Sequence, residues 1–474
     1  MKPLSRPVVL VLLVVVACAG FLLRLHEASR LSVIAHPDEI FQSLEPAHRL
    51  AFGSGVITWE WRDGIRSWVL PALLAGVMRC TQWMGHGSTG YLIGVRCFLV
   101  LLSMVTVWFG YVWGKKVGGT ECGLLAAAAC AIWYELVGYA PRALYEVVAV
   151  NFLLIAMYLG DGPEQPASRR RTFLAGLFFG IALSFRVHLA PAILFGLLYC
   201  AGRSWQRLSA IFAGAAVSPV IFGIVDVVTG RHAFQSFYRP FQENIVQAKA
   251  QAFGTSPWYG YFPMEARHLG PLLLLAVLGM RRNKFLGGVA LVILISHSMI
   301  AHKLTRFVYP ATPILIVLAA VGLWELMVVA SSKMKLKLNS GVLVFAGFLV
   351  FAVCTSLLAP HFSYWRQTEA MSYFHELSQE DDVCGVAVYG VPWPATGGYT
   401  YLHHSVAIIL PTMEDFAHES QNFNFVVASQ AAPIPAPSFI QRSCRGGTCL
   451  YQRPGPCGHQ SRDEINAFLS SIDY

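Results

Sequence analysis

Charged residues are scarce in this sequence of 474 residues: Asp, Glu, Lys and Arg make up 13% of it, against about 25% in soluble domains. Hydrophobic residues reach 55%, and the mean hydropathy is +0.53. So few polar side chains cannot cover the surface of a soluble protein of this size. The same numbers exclude a disordered chain. The composition therefore predicts an α-helical polytopic membrane protein.

Several functional signatures are also missing. The sequence has no internal repeat, no glycine-rich phosphate loop, no close CxxC pair and no Asn-x-Ser/Thr sequon. We therefore expect no metal, no cofactor and no nucleic-acid partner, and we attribute the net charge of +9 to loops that set topology. The missing sequon slightly favours a bacterial inner membrane over the endoplasmic reticulum, and both remain open. One or two disulfides are expected among the four cysteines of the polar tail, Cys384, Cys444, Cys449 and Cys457.

Long apolar runs predict about 11 transmembrane helices. The first run follows Lys2 and Arg6 without a clear cleavage site, which indicates a retained signal anchor. Several runs are shorter than the roughly 20 residues of a full span, so tilt or flanking residues must complete them. The runs are 8–23, 91–113, 122–140, 143–160, 172–185, 187–201, 209–229, 267–280, 285–300, 307–329 and 341–359.

Loop charge decides how the ambiguous segment 67–84 is interpreted. If this segment lies in the interface, with Trp68 and Trp83 as anchors, short loops on one side hold fifteen basic residues. If it crosses, every later loop inverts and the positive-inside pattern is lost. We therefore predict an interfacial segment and a cytosolic N-terminus. The fifteen are Lys2, Arg6, Lys115, Lys116, Arg169, Arg170, Arg171, Arg203, Arg207, Arg281, Arg282, Lys284, Lys333, Lys335 and Lys337.

This topology places three segments on the lumenal or periplasmic face: loop 24–90, loop 230–266 and the tail 361–474. We predict a transmembrane catalytic domain over 1–360 and a small extracytoplasmic α/β domain over 361–474. The tail pattern predicts strands at 383–390, 406–411 and 423–429, with helices starting near 396 and 413.

The first outer loop carries the strongest concentration of reactive side chains. Pro37 places Asp38 directly after the first span on a stiff backbone, which suits a reacting carboxylate. Glu39 is the second candidate, and Glu45 is interpreted as a helix cap or part of a wet helix face. The other candidate substrate-binding residues of this loop are His36, Trp59, Glu60, Trp61 and Arg66.

Cations at the outer ends of other spans point to the same face. Arg142 stands four residues before Glu146, so the two either pair on one helix face or serve a site. His302, Lys303 and Arg306, together with Arg186, either anchor the interface or bind the phosphate of a lipid. A phosphate leaving group needs positive charge rather than a general acid, and an acceptor hydroxyl needs one general base. The pattern therefore suits group transfer from a lipid phosphate.

These motifs also resemble a known family. HPDEIFQ (36–42), TWEW (58–61), LSFR (183–186) and HKLTRFVYPATP (302–313) are similar to glycosyltransferase family 22, the GT-C mannosyltransferases of asparagine-linked-glycan and GPI-anchor assembly. The opening loop is most similar to the GPI third-mannose branch. The resemblance implies a catalytic Asp at Asp38, a polyprenyl- or dolichyl-phosphate-mannose donor and inverting transfer to a lipid-linked glycan. Leu304 departs from the family pattern, which usually has Glu.

The sequence thus predicts a membrane glycosyltransferase of GT-C fold whose partners are membrane lipid, the lipid-phosphate sugar donor and a lipid-linked glycan acceptor. The active site is expected on the periplasmic or lumenal face. Two alternatives remain: a GT-C transferase of another sugar, and a flippase of lipid-linked saccharides.

Overall fold

The computed structural model describes residues 3–161, 168–335, 338–362, 364–365, 369–458, 461 and 463–471. Lys2 and Lys337, two of the fifteen basic loop residues, lie outside the described residues. The helices are α1 (Arg6–Ser29), α2 (Glu45–Phe52), α3 (Trp59–Arg62), α4 (Val69–Thr81), α5 (Thr89–Ser103), α6 (Val105–Gly118), α7 (Thr120–Ile132), α8 (Tyr134–Tyr139), α9 (Tyr145–Gly160), α10 (Arg169–Phe185), α11 (Ala190–Ala201), α12 (Trp205–Val228), α13 (Gln235–Phe241), α14 (Tyr261–Leu269), α15 (Leu272–Met280), α16 (Lys284–Ser298), α17 (Thr305–Val308), α18 (Thr312–Lys333), α19 (Ser340–Leu358), α20 (Glu369–Leu377), α21 (Gly398–Leu402), α22 (Phe416–Glu419) and α23 (Glu464–Ser471). The strands are β1 (Gly385–Tyr389), β2 (Ala407–Ile409), β3 (Phe425–Ser429), β4 (Ile440–Arg445) and β5 (Thr448–Gln452).

The chain divides into two compact units. The helical unit contains Met1–Ala28 and Leu99–Ser363, and the mixed unit contains Ser29–Phe98 and Tyr364–Tyr474. Packing thus groups most of the first outer loop with the tail, whereas the sequence prediction followed chain order and divided the protein after residue 360. A segment remote in sequence can join a domain when its apolar side chains are buried there.

Each of the eleven apolar runs is largely helical, which confirms the helical class. Among the described residues, five helical segments are long and apolar enough to cross a membrane: Arg6–Ser29, Thr89–Gly118, Trp205–Val228, Thr305–Lys333 and Ser340–His361. Four further apolar helices have 10–17 residues. The count of 11 spans stays a prediction.

Local capping explains where several of the apolar helices begin. Ser168 accepts a hydrogen bond from the backbone N–H of Arg171 at 3.3 Å, and Ser204 does the same for Arg207 at 3.4 Å. Asn283 caps α16 through the Leu286 N–H at 2.9 Å. A side-chain oxygen at this position satisfies a backbone donor that the helix itself leaves unpaired.

Close helix packing in the helical unit depends on glycine. A Cβ at Gly279 of α15 would collide with the Leu318 carbonyl of α18, and one at Gly322 would collide with the Leu275 carbonyl. The two glycines therefore let these helices approach backbone to backbone, as small residues commonly do in membrane bundles.

Segment 67–84 forms α4, whose 13 residues correspond to about 20 Å, shorter than a bilayer core. It packs on α2 within the mixed unit. Trp68 packs against Trp61 at an interplanar angle of 45°, with ring centroids 4.5 Å apart. The place of this segment in the membrane interface stays a prediction.

The tail forms a five-stranded sheet in the order β2-β1-β3-β5-β4. The pairs β1–β2 and β1–β3 are parallel, and β5 is antiparallel to both β3 and β4. The three predicted strands are confirmed, and the Cys-rich end adds the hairpin β4–β5, which the sequence interpretation missed. The predicted disulfides are present as Cys384–Cys457 and Cys444–Cys449.

Candidate active site

Asp38 stands at the start of a helical segment that follows α1 and a short loop. Its backbone is already helical, with φ −59° and ψ −28°, and it leads into a π-helical stretch, Glu39–Leu44, that continues as α2. Pro37 restricts the preceding backbone, as the sequence indicated. About 25% of the Asp38 side chain remains exposed, so its carboxylate stays within reach of a substrate.

His36 is the titratable neighbour of Asp38. Its Nδ1 lies 3.2 Å from the Asp38 backbone nitrogen and also 3.2 Å from Asp38 Oδ1. A neutral ring with the proton on Nε2 accepts the backbone N–H, whereas a ring protonated on Nδ1 donates to the carboxylate. In either form the His36 ring contacts Asp38 through Nδ1.

Glu39 has a different environment from that of Asp38. Its residue exposure is only 2%, and its Oε1 accepts a hydrogen bond from the Ala35 backbone N–H at 2.8 Å. The two adjacent carboxylates therefore differ in exposure. Catalysis by Asp38 or Glu39 stays a prediction.

The remaining candidates of the first outer loop differ in how far other groups already bind or bury them. Arg66 donates to Glu60 at 2.9 Å, with both side chains mostly buried. Trp61 is buried, and its indole N–H donates to the Phe41 carbonyl at 3.1 Å. Trp59 is half-buried and is the better placed of the two tryptophans to meet a sugar ring. Substrate binding by these residues stays a prediction.

Glu45 is fully buried, so its interpretation as a residue of a wet helix face was wrong. Its carboxylate accepts hydrogen bonds from the backbone N–H groups of Val56 (2.6 Å) and Thr400. Burial raises the pKa of Glu45 to about 7 despite these bonds. The residue ties the first outer loop to α21 inside the mixed unit.

A second cluster lies in the helical unit and centres on Glu146 of α9. Arg306 Nη1 donates to Glu146 Oε1 at 2.7 Å, and Arg186 Nη1 lies 3.8 Å from Glu146 Oε2. Both guanidinium carbons also lie near the Phe307 ring, at 5.0 Å for Arg186 and 4.7 Å for Arg306. One carboxylate thus serves two buried arginines.

Lys303 adds a third cation to this region of the helical unit. Its Nζ donates to the carbonyls of Ser298 (3.2 Å) and Ile300 (2.5 Å) and lies 5.6 Å from the centroid of the Tyr261 ring. Among the described residues it makes no ion pair, and the residue is 7% exposed. Arg186, Lys303 and Arg306 are called the cationic cluster below.

The three-residue spacing between Lys303 and Arg306 predicts that both lie on one face of a helix. Lys303 and Arg306 do not share one helix, because α17 begins only at Thr305 after the extended residue Leu304, with φ −128° and ψ 142°. His302 also lies beside Phe307, with ring centroids 5.9 Å apart, and its Nδ1 lies 3.1 Å from the Gly254 carbonyl oxygen in the predicted second outer loop. Substrate binding by His302 stays a prediction.

Arg142 does not pair with Glu146, so that alternative was also wrong. The guanidinium forms a buried ion pair with Glu27 of α1 and donates to the Gly138 carbonyl at 3.1 Å. Arg142 is fully buried. Substrate binding by Arg142 stays a prediction, while its visible contacts join α1 to the end of α8.

Sequence reasoning overlooked Glu146 and Tyr261 as neighbours of the cationic cluster. The four-residue spacing between Arg142 and Glu146 suggested a pair on one helix. The contacts of Glu146 with Arg186 and Arg306, which come from other elements, were therefore not predicted. The aromatic Phe307 inside HKLTRF was the available signal, since arginines favour aromatic faces. Among the described residues, no group of three His, Cys, Asp or Glu side chains is arranged to hold a metal ion.

Comparison with known proteins gives a consistent result. Residues 15–403 match the model of the Alg9-like mannosyltransferase family. GPI mannosyltransferase 3 of Yarrowia lipolytica is 26% identical over 416 residues, covering 85% of this chain and 77% of that protein. Human GPI alpha-1,2-mannosyltransferase 3 is 26% identical over 304 residues, covering 61% of this chain and 54% of its own length.

A solved structure shares the fold. The chain superposes on ArnT from Cupriavidus metallidurans, solved bound to undecaprenyl phosphate, with a TM-score of 0.66 and 13% identity, covering 96% of this chain and 100% of the other. The apo form of the same protein gives a TM-score of 0.61 at 13% identity, covering 94% of this chain and 97% of that one. The architecture is therefore that of the GT-C class.

Proposed function

Since the chain belongs to the Alg9-like mannosyltransferase family, we propose that it transfers mannose from a polyprenyl- or dolichyl-phosphate-mannose donor to a hydroxyl of a lipid-linked glycan. The protein is a multi-pass membrane mannosyltransferase. The donor, the acceptor, the inverting course and the residue roles below are the proposal.

The observation that carries the mechanism is the contrast between Asp38 and Glu39. Asp38 has a partly exposed carboxylate on a restricted backbone, whereas Glu39 is buried and bonded to Ala35. In the proposed reaction Asp38 removes the proton of the acceptor hydroxyl as that oxygen attacks the anomeric carbon. His36 lies beside the carboxylate and stabilises its charge when protonated.

The leaving group is the lipid phosphate, which departs as an anion. The cationic cluster supplies charge to receive it: Arg186 and Arg306 share one carboxylate, and Lys303 makes no ion pair within the described part of the chain. Positive groups held in place before the reaction stabilise charge that develops during bond cleavage. No general acid is required for such a leaving group.

The relatives support the choice of acceptor. Their names describe GPI mannosyltransferases, and the human protein is named for an alpha-1,2 linkage. We therefore propose a mannose 2-hydroxyl of a GPI-type lipid-linked glycan as the acceptor. The site would face the lumen of the endoplasmic reticulum, or the periplasm in a bacterium.

A donor panel tests the proposal directly. Purified protein is incubated with a lipid-linked mannoside as acceptor and with one donor at a time: the polyprenyl-phosphate derivative of mannose, glucose, arabinose or galactosamine. The products are identified by mass spectrometry. A mannosylated product that requires Asp38 is expected. Transfer of another sugar would favour the alternative GT-C transferase. Movement of lipid-linked saccharide across vesicles without any product would instead favour a flippase.

A further inference from the structure

Two members of the cationic cluster contact the same acidic side chain, that of Glu146. Glu146 belongs to α9, Arg186 follows α10, and Arg306 lies in α17, so three separate elements meet at one carboxylate. Glu146 is 1% exposed. It has too little access to solvent to be a surface counter-ion.

The geometry limits what Glu146 does. Its Oε1 accepts from Arg306 at 2.7 Å, while its Oε2 lies 3.8 Å from Arg186. Each oxygen therefore faces a different guanidinium, and each guanidinium also rests near Phe307. A carboxylate on one side and an aromatic ring on another restrict how a planar guanidinium can rotate.

Without a counter-ion, the guanidinium groups of Arg186 and Arg306 would repel each other. Like charges repel more strongly in a buried, poorly solvated region than in water, so a shared anion is needed to hold both guanidinium groups near one ring. Lys303 lies beyond this pairing, 5.6 Å from the centroid of the Tyr261 ring. Lys303 makes no ion pair within the described part of the chain, so it brings a further positive charge to this region.

We propose that Glu146 is a positioning residue that orients Arg186 and Arg306 toward the phosphate of the lipid-linked donor. This inference rests on the proposed function, because it assumes that the cationic cluster receives that phosphate. Glu146 acts through the arginines and not on the reacting atoms. Its removal should therefore affect the donor and leave the acceptor alone.

A double-variant cycle tests this role. Glu146→Gln should lower kcat/KM for the donor by roughly 10–100-fold, while the acceptor KM changes less than about threefold. In an Arg306→Ala background the same change should cost clearly less than in wild type, because only Arg186 remains of the two arginines through which Glu146 acts. A full additional loss in that background would overturn the proposal, as would an unchanged donor kcat/KM in folded Glu146→Gln.

Two further variants separate positioning from general stability. Glu146→Asp keeps the charge and should recover most of the donor kcat/KM. If Glu146→Gln yields too little folded protein, Glu146→Asp takes its place in the double-variant cycle. The matched control is Glu27→Gln, which breaks another buried ion pair of the helical unit, that with Arg142. It should lower thermal stability without kinetic coupling to Arg306. Equal coupling of Glu27→Gln and Glu146→Gln to Arg306 would leave Glu146 with a structural role only.

The outcomes also separate this inference from the proposed function. A wild-type protein that turns over no lipid-phosphate sugar would remove the proposed function. An active wild type, with Arg306→Ala impaired for the donor and Glu146→Gln uncoupled from it, would remove only the positioning role.

Discussion

Adjacent carboxylates at the start of the first outer loop differ through their surroundings and not through their chemistry. Asp38 keeps a quarter of its side chain exposed beside His36, while Glu39 is 2% exposed and caps the Ala35 N–H. Burial with a backbone partner suits a structural acid, and partial exposure suits a base that must meet a substrate. The exposure of the two side chains therefore agrees with the order in which the sequence ranked these candidates, Asp38 before Glu39.

Replacing Asp38 with Asn removes the proposed base and keeps its shape. Transfer should fall by roughly 10²–10⁴-fold, with little change in donor binding, measured by initial rates and by donor titration. Glu39→Gln serves as the comparison and should reduce thermal stability more than turnover. More than a tenth of wild-type activity in Asp38→Asn would move the assignment to Glu39.

Lys303 and Arg306 offer a second test at this scale. A hydrogen bond to a charged group typically contributes about 1.5–3 kcal/mol, so Lys303→Ala or Arg306→Ala should lower kcat/KM for the donor about 10–150-fold. Arg306→Lys should rescue incompletely, because lysine lacks the guanidinium fork.

The exposed Arg282, paired with Glu325, provides the control for this pair. Arg282→Ala removes a cation of the same unit outside the cationic cluster and should leave donor kinetics unchanged. Normal donor affinity and turnover in folded Lys303→Ala and Arg306→Ala would support the interfacial-anchor interpretation instead.

Between elements, the mixed unit depends on a tie between α2 and α21. Glu45 of α2 binds the Thr400 N–H, and His48 Nε2 lies 3.0 Å from His403 Nδ1 at the end of α21. Gly398 begins α21 with φ +60°, where a Cβ would stand 2.7 Å from the Glu45 carboxyl carbon. Helix α21 therefore needs both the left-handed backbone and the missing side chain of glycine.

Gly398→Ala tests this close approach. A left-handed alanine costs roughly 1–2 kcal/mol, and the collision with Glu45 should add about 1–3 kcal/mol. Gly447→Ala is the matched control, because Gly447 has φ +84° and nothing within 4 Å of its Cβ position. Thermal unfolding followed by tryptophan fluorescence should show a larger loss for Gly398→Ala. An equal loss of stability in both variants would mean that the Glu45 side chain moves away from the new methyl group without destabilising the fold.

His48 should make the mixed unit sensitive to acid. Its Nδ1–H donates to the Ser54 carbonyl at 2.6 Å, and its Nε2 accepts from His403 Nδ1–H. A proton added to Nε2 would point at this N–H of His403 and replace the hydrogen bond with repulsion. Burial lowers the pKa of His48 to about 3 from its ordinary 6.5. Below pH 6.5, His48 is protonated in the unfolded chain but stays neutral in the folded chain. The free energy of unfolding therefore falls as the pH drops below 6.5.

The expected loss from His48 is about 1.4 kcal/mol per pH unit below 6.5. Thermal midpoints of wild type and His48→Gln at pH 7.5 and pH 5 give the measurement, and the variant should lose less than wild type on acidification. His418→Gln, on an exposed face of α22, should behave as wild type. Parallel curves for wild type and His48→Gln would contradict the assignment.

At the scale of the whole molecule, the side of the membrane on which the candidate residues lie stays a prediction. Eleven spans would put the outer loops and the tail opposite the basic loops, and the two tail disulfides are typical of an oxidising compartment.

Cysteine labelling tests this arrangement. Gly397 is buried, so the exposed Met413 (68%) reports on the tail and Met334 (67%) on the loop near Lys335. In a background without the seven free cysteines, a membrane-impermeant maleimide should label Met413→Cys from outside and Met334→Cys only after permeabilisation. Labelling of both from one side would remove the eleven-span arrangement.

The helical class and five elements of the tail, β1, α21, β2, α22 and β3, followed from the sequence, because each depends on local composition or periodicity. The reacting role of Asp38 also came from the sequence and stays a prediction. The family motif around Asp38 added the mannosyltransferase assignment. Tertiary structure alone decided which charges pair: Arg142 with Glu27, and Glu146 with Arg306 and Arg186. It also decided that Glu45 is buried and that residues 29–98 pack with the tail. Ion pairing and burial depend on which distant elements meet, and spacing along one helix does not contain that information.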